Sequence, residues 1–284
     1  MSNIAESLEL ASIILSAAEI VDSRREASSL LCLALGKDRS FLIAHPEYVL
    51  KADEAAFFHS IVKRRSDREP FHHITGVKEF YGLDFQVSPD VLIPRPETEM
   101  LVARSIEILT AKEGSSFCEV GVGSGCIAIA VLHHLPHASA VGLDISETAI
   151  AIARRNAEHH RVLDRLRLLR SDIFNGLGHE PFDLIVSNPP YIPFEDIAGL
   201  QREVRDFEPH LALTDGGNGL SVIEKIIQQS PAYLKPHGYL LFEIGIDQVE
   251  DVNAMFDPKI WTNVEIVPDF QGIPRMVCAG PILQ

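Results

Sequence analysis

The chain has 284 residues, 46% of them hydrophobic and 23% charged, which suits one large α/β domain plus a smaller one and excludes a disordered or fibrous chain. Its formal net charge of −15 works against any partner bound by neutralising phosphates, so nucleic acid is a poor candidate. Cys32, Cys118, Cys126 and Cys278 show no paired spacing for disulfides or zinc, and the absence of a 20-residue apolar run or a basic-then-apolar leader leads us to expect a cytoplasmic protein with no membrane partner.

From Ile4 to about Arg68 apolar residues recur at helical spacing, as in Ile13, Ile14 and Ile20, then Leu30, Leu31 and Leu35, then Phe57, Phe58, Ile61 and Val62. Ser23 and Asp38 stand at expected helix starts and Gly36 at an expected stop. The polar stretch Arg64 to Glu69, closed by Pro70, reads as the exit from a small helical bundle over residues 1–75. That segment carries nine Lys and Arg against eleven Asp and Glu, so the remaining sixteen against twenty-nine place nearly all the acidity downstream. Val77 to Tyr81 and Leu83 to Val87, split by Gly82, predict a linking β-hairpin within 76–95. Pro94-Arg95-Pro96 then leads into a helix near Glu97 to Leu109.

Beyond Phe117, short β-like runs alternate with helical ones: 117–120, 140–143, 166–169, 184–187 and 239–244. Such alternation implies parallel strands with crossover helices, hence a doubly wound sheet over 96–284.

Three features sit after successive strands. Glu119-Val120-Gly121-Val122-Gly123-Ser124-Gly125 follows the first strand and opens a helix, where glycines let backbone approach a ligand. Asp144 ends the next strand, where a carboxylate can accept both hydroxyls of a ribose, and Ser146 is better placed than Asp144 to cap the following helix. Asp172 and Ile173 follow the third strand, where an adenine edge would lie. The turn reads GxGxG behind an acidic residue rather than GxGxxG, with no second phosphate-binding turn. Together with the acidity, this fits S-adenosylmethionine, which carries an ammonium and a sulfonium and no phosphate, better than NAD.

After the fourth strand comes Asn188-Pro189-Pro190-Tyr191, a string expected by chance in roughly one chain in a thousand of this length. The prolines cannot continue a central strand, so the segment leaves the sheet rigid and extended with its carbonyls free. An amide or aromatic amine nitrogen has a delocalised lone pair. Acceptors at the Asn188 side chain and the Pro189 carbonyl would hold its N–H groups and turn the lone pair to a methyl donor. Tyr191 would stack on the flat target group.

These residues resemble the HemK/PrmC protein-glutamine methyltransferases. The likeness runs through Glu69-Pro70, Ile74-Thr75-Gly76, Glu79-Phe80, Gly82-Leu83, the long Val91 to Glu99 segment, the glycine turn, the tetrad, Glu208-Pro209, Ala212-Leu213 and Phe242-Glu243-Ile244-Gly245. It implies a seven-stranded, Rossmann-like S-adenosylmethionine methyltransferase domain over 96–284, joined by the hairpin linker 76–95 to a substrate-docking bundle over 1–75. It also implies methylation of the glutamine in the Gly-Gly-Gln motif of peptide chain release factors. The expected cofactor set is Glu119, Gly121, Val122, Gly123, Ser124, Gly125, Asp144, Ile145, Asp172, Ile173 and Asn188. The expected substrate set is Asn188, Pro189, Pro190, Tyr191 and Arg95. The chain departs from the family at Glu119, usually Asp, at Ile173, commonly aromatic, and at His72-His73, where a tyrosine is frequent.

A ribosomal-protein glutamine, a DNA or RNA adenine, or a binding module without activity are the alternatives. A monomer with no metal is expected, since His133, His134 and His137 lack a matching carboxylate or cysteine. The basic cluster Lys63, Arg64, Arg65 and Arg68 reads as a solvated helix end, or as a docking patch for an RNA-like or acidic partner.

Overall fold

The computed structural model describes residues 2–112 and 114–281. Packing divides the chain into two units: Met1–Gly76 with Gln201–Phe207, and Val77–Leu200 with Glu208–Gln284.

The first unit is built of α1 (Ile4–Ala17), α2 (Ser23–Leu35), α3 (Arg39–Ala44), α4 (Ala52–Ser66) and α5 (Phe71–Thr75). Asn3 and Glu6 cap α1 reciprocally, Asp38 caps α3 by accepting from the Phe41 N–H, and α2 stops at Gly36, whose φ of +60° is the left-handed conformation glycine adopts freely. Leu15, Leu30, Leu31, Phe58 and Ile61 are fully buried between the helices. The basic cluster at the end of α4 divides: Lys63 and Arg64 form the solvated end that the sequence predicts, while Arg65 and Arg68 are drawn inward into ion pairs. Lys63 pairs with Asp67 and Arg64 with Glu69. Arg65 bridges Glu26 at 2.6 Å and Glu203 at 3.1 Å, and Arg68 reaches Glu203 at 2.8 Å. Glu203 lies in the short helix Arg202–Phe207, so these ion pairs give a physical reason for residues 201–207 to group with the bundle. Burial opposes its charge, but its own backbone and the two arginines hold the Glu203 carboxyl below the usual range.

The second unit opens with the hairpin β1 (Val77–Phe80) and β2 (Leu83–Gln86). Phe80 and Phe85 share one apolar cluster with Leu101 and Val102, so the hairpin is part of this unit's core and not the separate linker that the sequence pattern predicts. Then follow α6 (Glu99–Thr110), β3 (Ser116–Val120), α7 (Cys126–His134), β4 (Ser139–Asp144), α8 (Glu147–His159), β5 (Leu166–Arg170), β6 (Phe182–Ser187), β7 (Leu234–Glu243), β8 (Trp261–Pro268) and β9 (Pro274–Pro281). The seven-stranded sheet has the order β5-β4-β3-β6-β7-β9-β8, with β3 to β7 parallel and β9 antiparallel to both its neighbours.

Side chains on a strand alternate between faces. Leu184 and Val186 of β6 enter the cluster built with α6 and α7, while Ile185 enters the opposite one, with Phe174 and Ile223. Helices therefore cover both faces, and β6 is buried along its whole length, as a central parallel strand should be. The chain runs from β3 outward through β4 and β5, then returns to the other side of β3 as β6. Ligands in open α/β sheets bind at such a reversal, outside the carboxyl ends of the strands. Among the described residues no helix is long and apolar enough to cross a membrane, and no group of three His, Cys, Asp or Glu side chains is arranged to hold a metal.

Candidate active site

The glycine turn leaves β3 at the reversal. Gly121 and Val122 donate to the Leu143 carbonyl at 2.8 and 2.9 Å, and Gly125 to the Val122 carbonyl at 2.7 Å. A Cβ on Gly125 would stand 2.7 Å from Ile129 Cδ1 and 3.3 Å from Ala153 Cβ, and its φ of +82° penalises any side chain, so this position requires glycine to pack α7 against α8. Glu119 is buried and accepts the Ala128 N–H at 2.8 Å in the first turn of α7. Burial pushes its carboxyl well above the usual range, only partly opposed by that hydrogen bond, and nearby Asp144 adds to the effect. Asp144 accepts Gly123 N–H and Ser146 N–H, each at 2.9 Å, and is also raised by burial against those bonds. Ser146 caps α8 by accepting from Ala149. No described ion pair involves Glu119, Asp144 or Glu243.

The tetrad leaves β6 beside this turn. Ser187 Oγ donates to the Val120 carbonyl at 2.7 Å, and the Asn188 carbonyl oxygen lies 3.9 Å from where a Gly121 Cβ would be. Asn188 Nδ2 donates to Thr98 Oγ1 at 3.0 Å, Thr98 donates to Glu243 Oε2 at 2.8 Å, and the Tyr191 hydroxyl donates to Glu243 Oε1 at 2.8 Å. Thr98 and Glu243 are 2% and 3% exposed, so these bonds work without competition from solvent. Burial raises the Glu243 carboxyl, while the Thr98 and Tyr191 hydroxyls and Arg275 favour its ionised form. Burial followed by the Glu243 charge pushes the Tyr191 phenol upward, so Tyr191 stays a neutral donor.

Around the tetrad's exit, Gln248 donates to the Tyr191 carbonyl at 2.8 Å. Gly219 packs so closely that a Cβ there would lie 2.1 Å from the Tyr191 carbonyl oxygen. Asp215 holds the Gly219 loop by accepting from Gly217, Gly219 and Ser221. Despite partial burial, those donors bring its carboxyl down to about 2.

The structure thus gathers Glu119, the glycine turn, Asp144, Asn188 and Tyr191 at one rim of the sheet. Ile145 is exposed next to Asp144, and Asp172 is exposed after β5. Ile173 instead turns its side chain into the core with Val120 and Leu143, at a φ of +53° that is costly for a β-branched residue. Arg95 pairs at 2.7 Å with the buried Glu208, whose carboxyl burial raises and Arg95 lowers in turn. Sequence reasoning gave no role to Thr98, Glu243, Gly219 or Gln248. One signal points to Glu243: like Asp144 it closes an apolar strand at its carboxyl end, where Glu119 is the last residue but one of β3.

The strand order, the glycine turn at the reversal and the carboxylate ending β4 define a Rossmann-like S-adenosylmethionine-dependent methyltransferase. Among solved structures, a methyltransferase from Pyrococcus furiosus shares this fold at a TM-score of 0.54, with 18% identity over 78% of this chain and all of that one. A 16S rRNA N2 G1207 methyltransferase from T. thermophilus, in complex with AdoMet and guanosine, shares it at 0.53, with 17% identity over 72% of this chain and 49% of that one.

Residues 6–76 match the PrmC N-terminal domain and residues 98–201 the methyltransferase small domain. The release factor glutamine methyltransferase of Geobacter sulfurreducens is 44% identical over 91% of this chain and 89% of its own length, and that of Koribacter versatilis 41% over 93% of each. The chain belongs to the release factor glutamine methyltransferase family.

Proposed function

We propose that this chain methylates the side-chain amide nitrogen of the glutamine in the Gly-Gly-Gln motif of peptide chain release factors. The observation that carries the reading is the placement of Asn188 against the glycine turn, with its amide N–H committed to Thr98 and its Oδ1 used by no described hydrogen bond. Relatives above 40% identity over nine-tenths of the chain are named release factor glutamine methyltransferases, which supports this reading.

The rim suits S-adenosylmethionine: Glu119 and Asp144 are carboxylates without a described cationic partner, which favours a ligand bringing its own positive charge. Asp144 would accept the ribose hydroxyls. Gly121, Val122, Gly123, Ser124 and Gly125 would let backbone close on the amino-acid end below Glu119, with Ile145 and Asp172 about the adenine and only the backbone of Ile173, whose side chain is buried in the core, near it. When bound, the cofactor supplies an electrophilic methyl group on a sulfonium.

Asn188 Oδ1 and the Pro189 carbonyl would each accept one N–H of the target amide, fixing the nitrogen with its lone-pair side toward the donor. These acceptors also stabilise the positive charge that grows on nitrogen, so no strong base is needed and the proton departs to water afterwards. Pro190 stiffens the segment. Tyr191, pinned by Glu243, would present its ring to the flat amide, and Arg95, held by Glu208, would face the substrate. The bundle over 1–75 would dock the release factor, and a cytoplasmic monomer acting without direct nucleic-acid contact completes the reading.

Labelled methyl transfer to purified release factor tests it: transfer is expected to vanish when the glutamine of Gly-Gly-Gln is replaced by alanine. Transfer that survives the replacement overturns the substrate assignment, and label on a ribosomal protein alone favours that protein instead.

A further inference from the structure

Three side chains far apart in sequence meet beneath the tetrad: Thr98 from the turn before α6, Asn188 after β6, and Glu243 at the end of β7. We infer that Glu243 is a positioning residue which, through Thr98, fixes the orientation of the Asn188 amide and thereby makes Oδ1 the group offered to the target nitrogen. The inference rests on the proposed role of Asn188.

An ionised carboxylate only accepts, and a hydroxyl has one proton to give. Glu243 Oε2 takes the proton of Thr98 at 2.8 Å and Oε1 that of Tyr191 at 2.8 Å. Thr98 Oγ1 is left with lone pairs alone. The amide 3.0 Å away must therefore present Nδ2–H to it. The flipped amide would set Oδ1 against those lone pairs with no proton between them. Losing one such bond between shielded groups disfavours the flipped state by about ten- to a hundredfold. A flipped Asn188 would face the target N–H groups with its own N–H donors, so the direction of this chain decides whether the tetrad accepts or repels the substrate. Tyr191 shares the same anchor, so Glu243 sets the ring and the amide together.

Two measurements on the full chain test this. Hydrogen exchange of the Asn188 side-chain NH2, followed by NMR and assigned by its disappearance in Asn188→Asp, reads the orientation without reference to any substrate. It is expected to be slow in the wild type and in Thr98→Ser, which keeps the hydroxyl, and fast in Thr98→Val and Glu243→Gln. Kinetics with release factor are expected to show kcat reduced about ten- to a hundredfold in Thr98→Val and in Glu243→Gln. Thr98→Ser should stay near wild type, the calorimetric Kd for S-adenosylmethionine should be unchanged, and the double variant Thr98→Val/Glu243→Gln should be no slower than the worse single one.

Fast exchange in the wild type, multiplying losses in the double variant, or Thr98→Ser as impaired as Thr98→Val would overturn the inference. Should Glu243→Gln fail to fold, the Thr98 pair still decides it. If the wild type transfers no methyl to release factor while exchange follows the expected pattern, the substrate reading fails and the positioning role stands.

Discussion

The two rims of the same sheet treat buried carboxylates in opposite ways. At the amino ends, Asp183 is 5% exposed and meets Lys235 at 2.7 Å, Lys112 at 3.1 Å and the Ser116 N–H at 3.0 Å. Burial opposes its charge, but these partners hold it below the usual range. At the carboxyl ends, the described residues offer Glu119, Asp144 and Glu243 backbone N–H groups or hydroxyls and no ion pair, and all three are raised by burial. Asp183 is neutralised within the fold and holds strands together. The other rim has no such ion pair, so burial pushes its carboxyls toward the neutral form, an arrangement that a cationic ligand would reverse on arrival.

The largest expected effect lies at the carboxyl rim. Asn188→Ala should lower kcat about a hundred- to a thousandfold, a loss of about 3–4 kcal/mol of transition-state stabilisation, with little change in thermal midpoint; single-turnover methyl transfer measures it. Next, Asp183→Ala should cost about 2–3 kcal/mol in denaturant titrations, because two lysines and a backbone N–H lose their acceptor. The fraction that folds should transfer methyl groups at the normal rate. A loss of cofactor affinity there would break the distinction between the rims.

Glu119→Gln should sharpen it. The amide oxygen can still accept the Ala128 N–H, so stability should hold or rise by about 1 kcal/mol, while calorimetry shows cofactor affinity falling about tenfold. Titration should follow the same division. A raised carboxyl such as Glu119 contributes stability that is complete below its unfolded value and is lost as pH rises through its folded one. A lowered carboxyl such as Asp183 contributes stability that is present above its unfolded value and lost as pH falls through its folded one. Denaturation curves against pH should therefore lose the first slope in Glu119→Gln and the second in Asp183→Ala.

The smallest effect is expected at the loop behind Tyr191. Asp215→Ala should cost about 1 kcal/mol, the partly exposed site being screened by solvent. In the wild type that contribution should fade as pH falls from the usual aspartate range through about 2.

Much of this frame was legible in the sequence. The strands expected at 117–120, 140–143 and 166–169 lie within Ser116–Val120, Ser139–Asp144 and Leu166–Arg170: the first two are inner parallel strands and read as short apolar runs bounded by turns, while the edge strand β5 alternates buried Leu166 and Leu168 with exposed Arg167 and Arg170. Trp261–Pro268 and Pro274–Pro281 escaped the residue-level reading: β8 alternates with polar residues such as Asn263 and Glu265, and prolines at 268, 274 and 281 read as loop. The amino half of β7 was hidden by Pro236, His237 and Gly238, with His237 at a φ of +62°. In the site, Asn188 to Tyr191 and the glycine turn stood out because each is local and chemically unusual. Thr98 did not, since a lone threonine after Pro-Glu carries no signal until something buried faces it.

By itself, the sequence determined what depends on neighbours along the chain: helix caps, apolar periods, the glycine turn, and a rigid acceptor segment following a buried strand. Tertiary structure alone decided which groups became partners across long separations. It joined Arg65 and Arg68 to Glu203, gave Asp183 its two lysines, and set Glu243 beneath Thr98 and Tyr191. The physical reason is that a side chain's charge and hydrogen-bond direction depend on burial and on the donors facing it, and both are fixed only when distant strands close into one sheet.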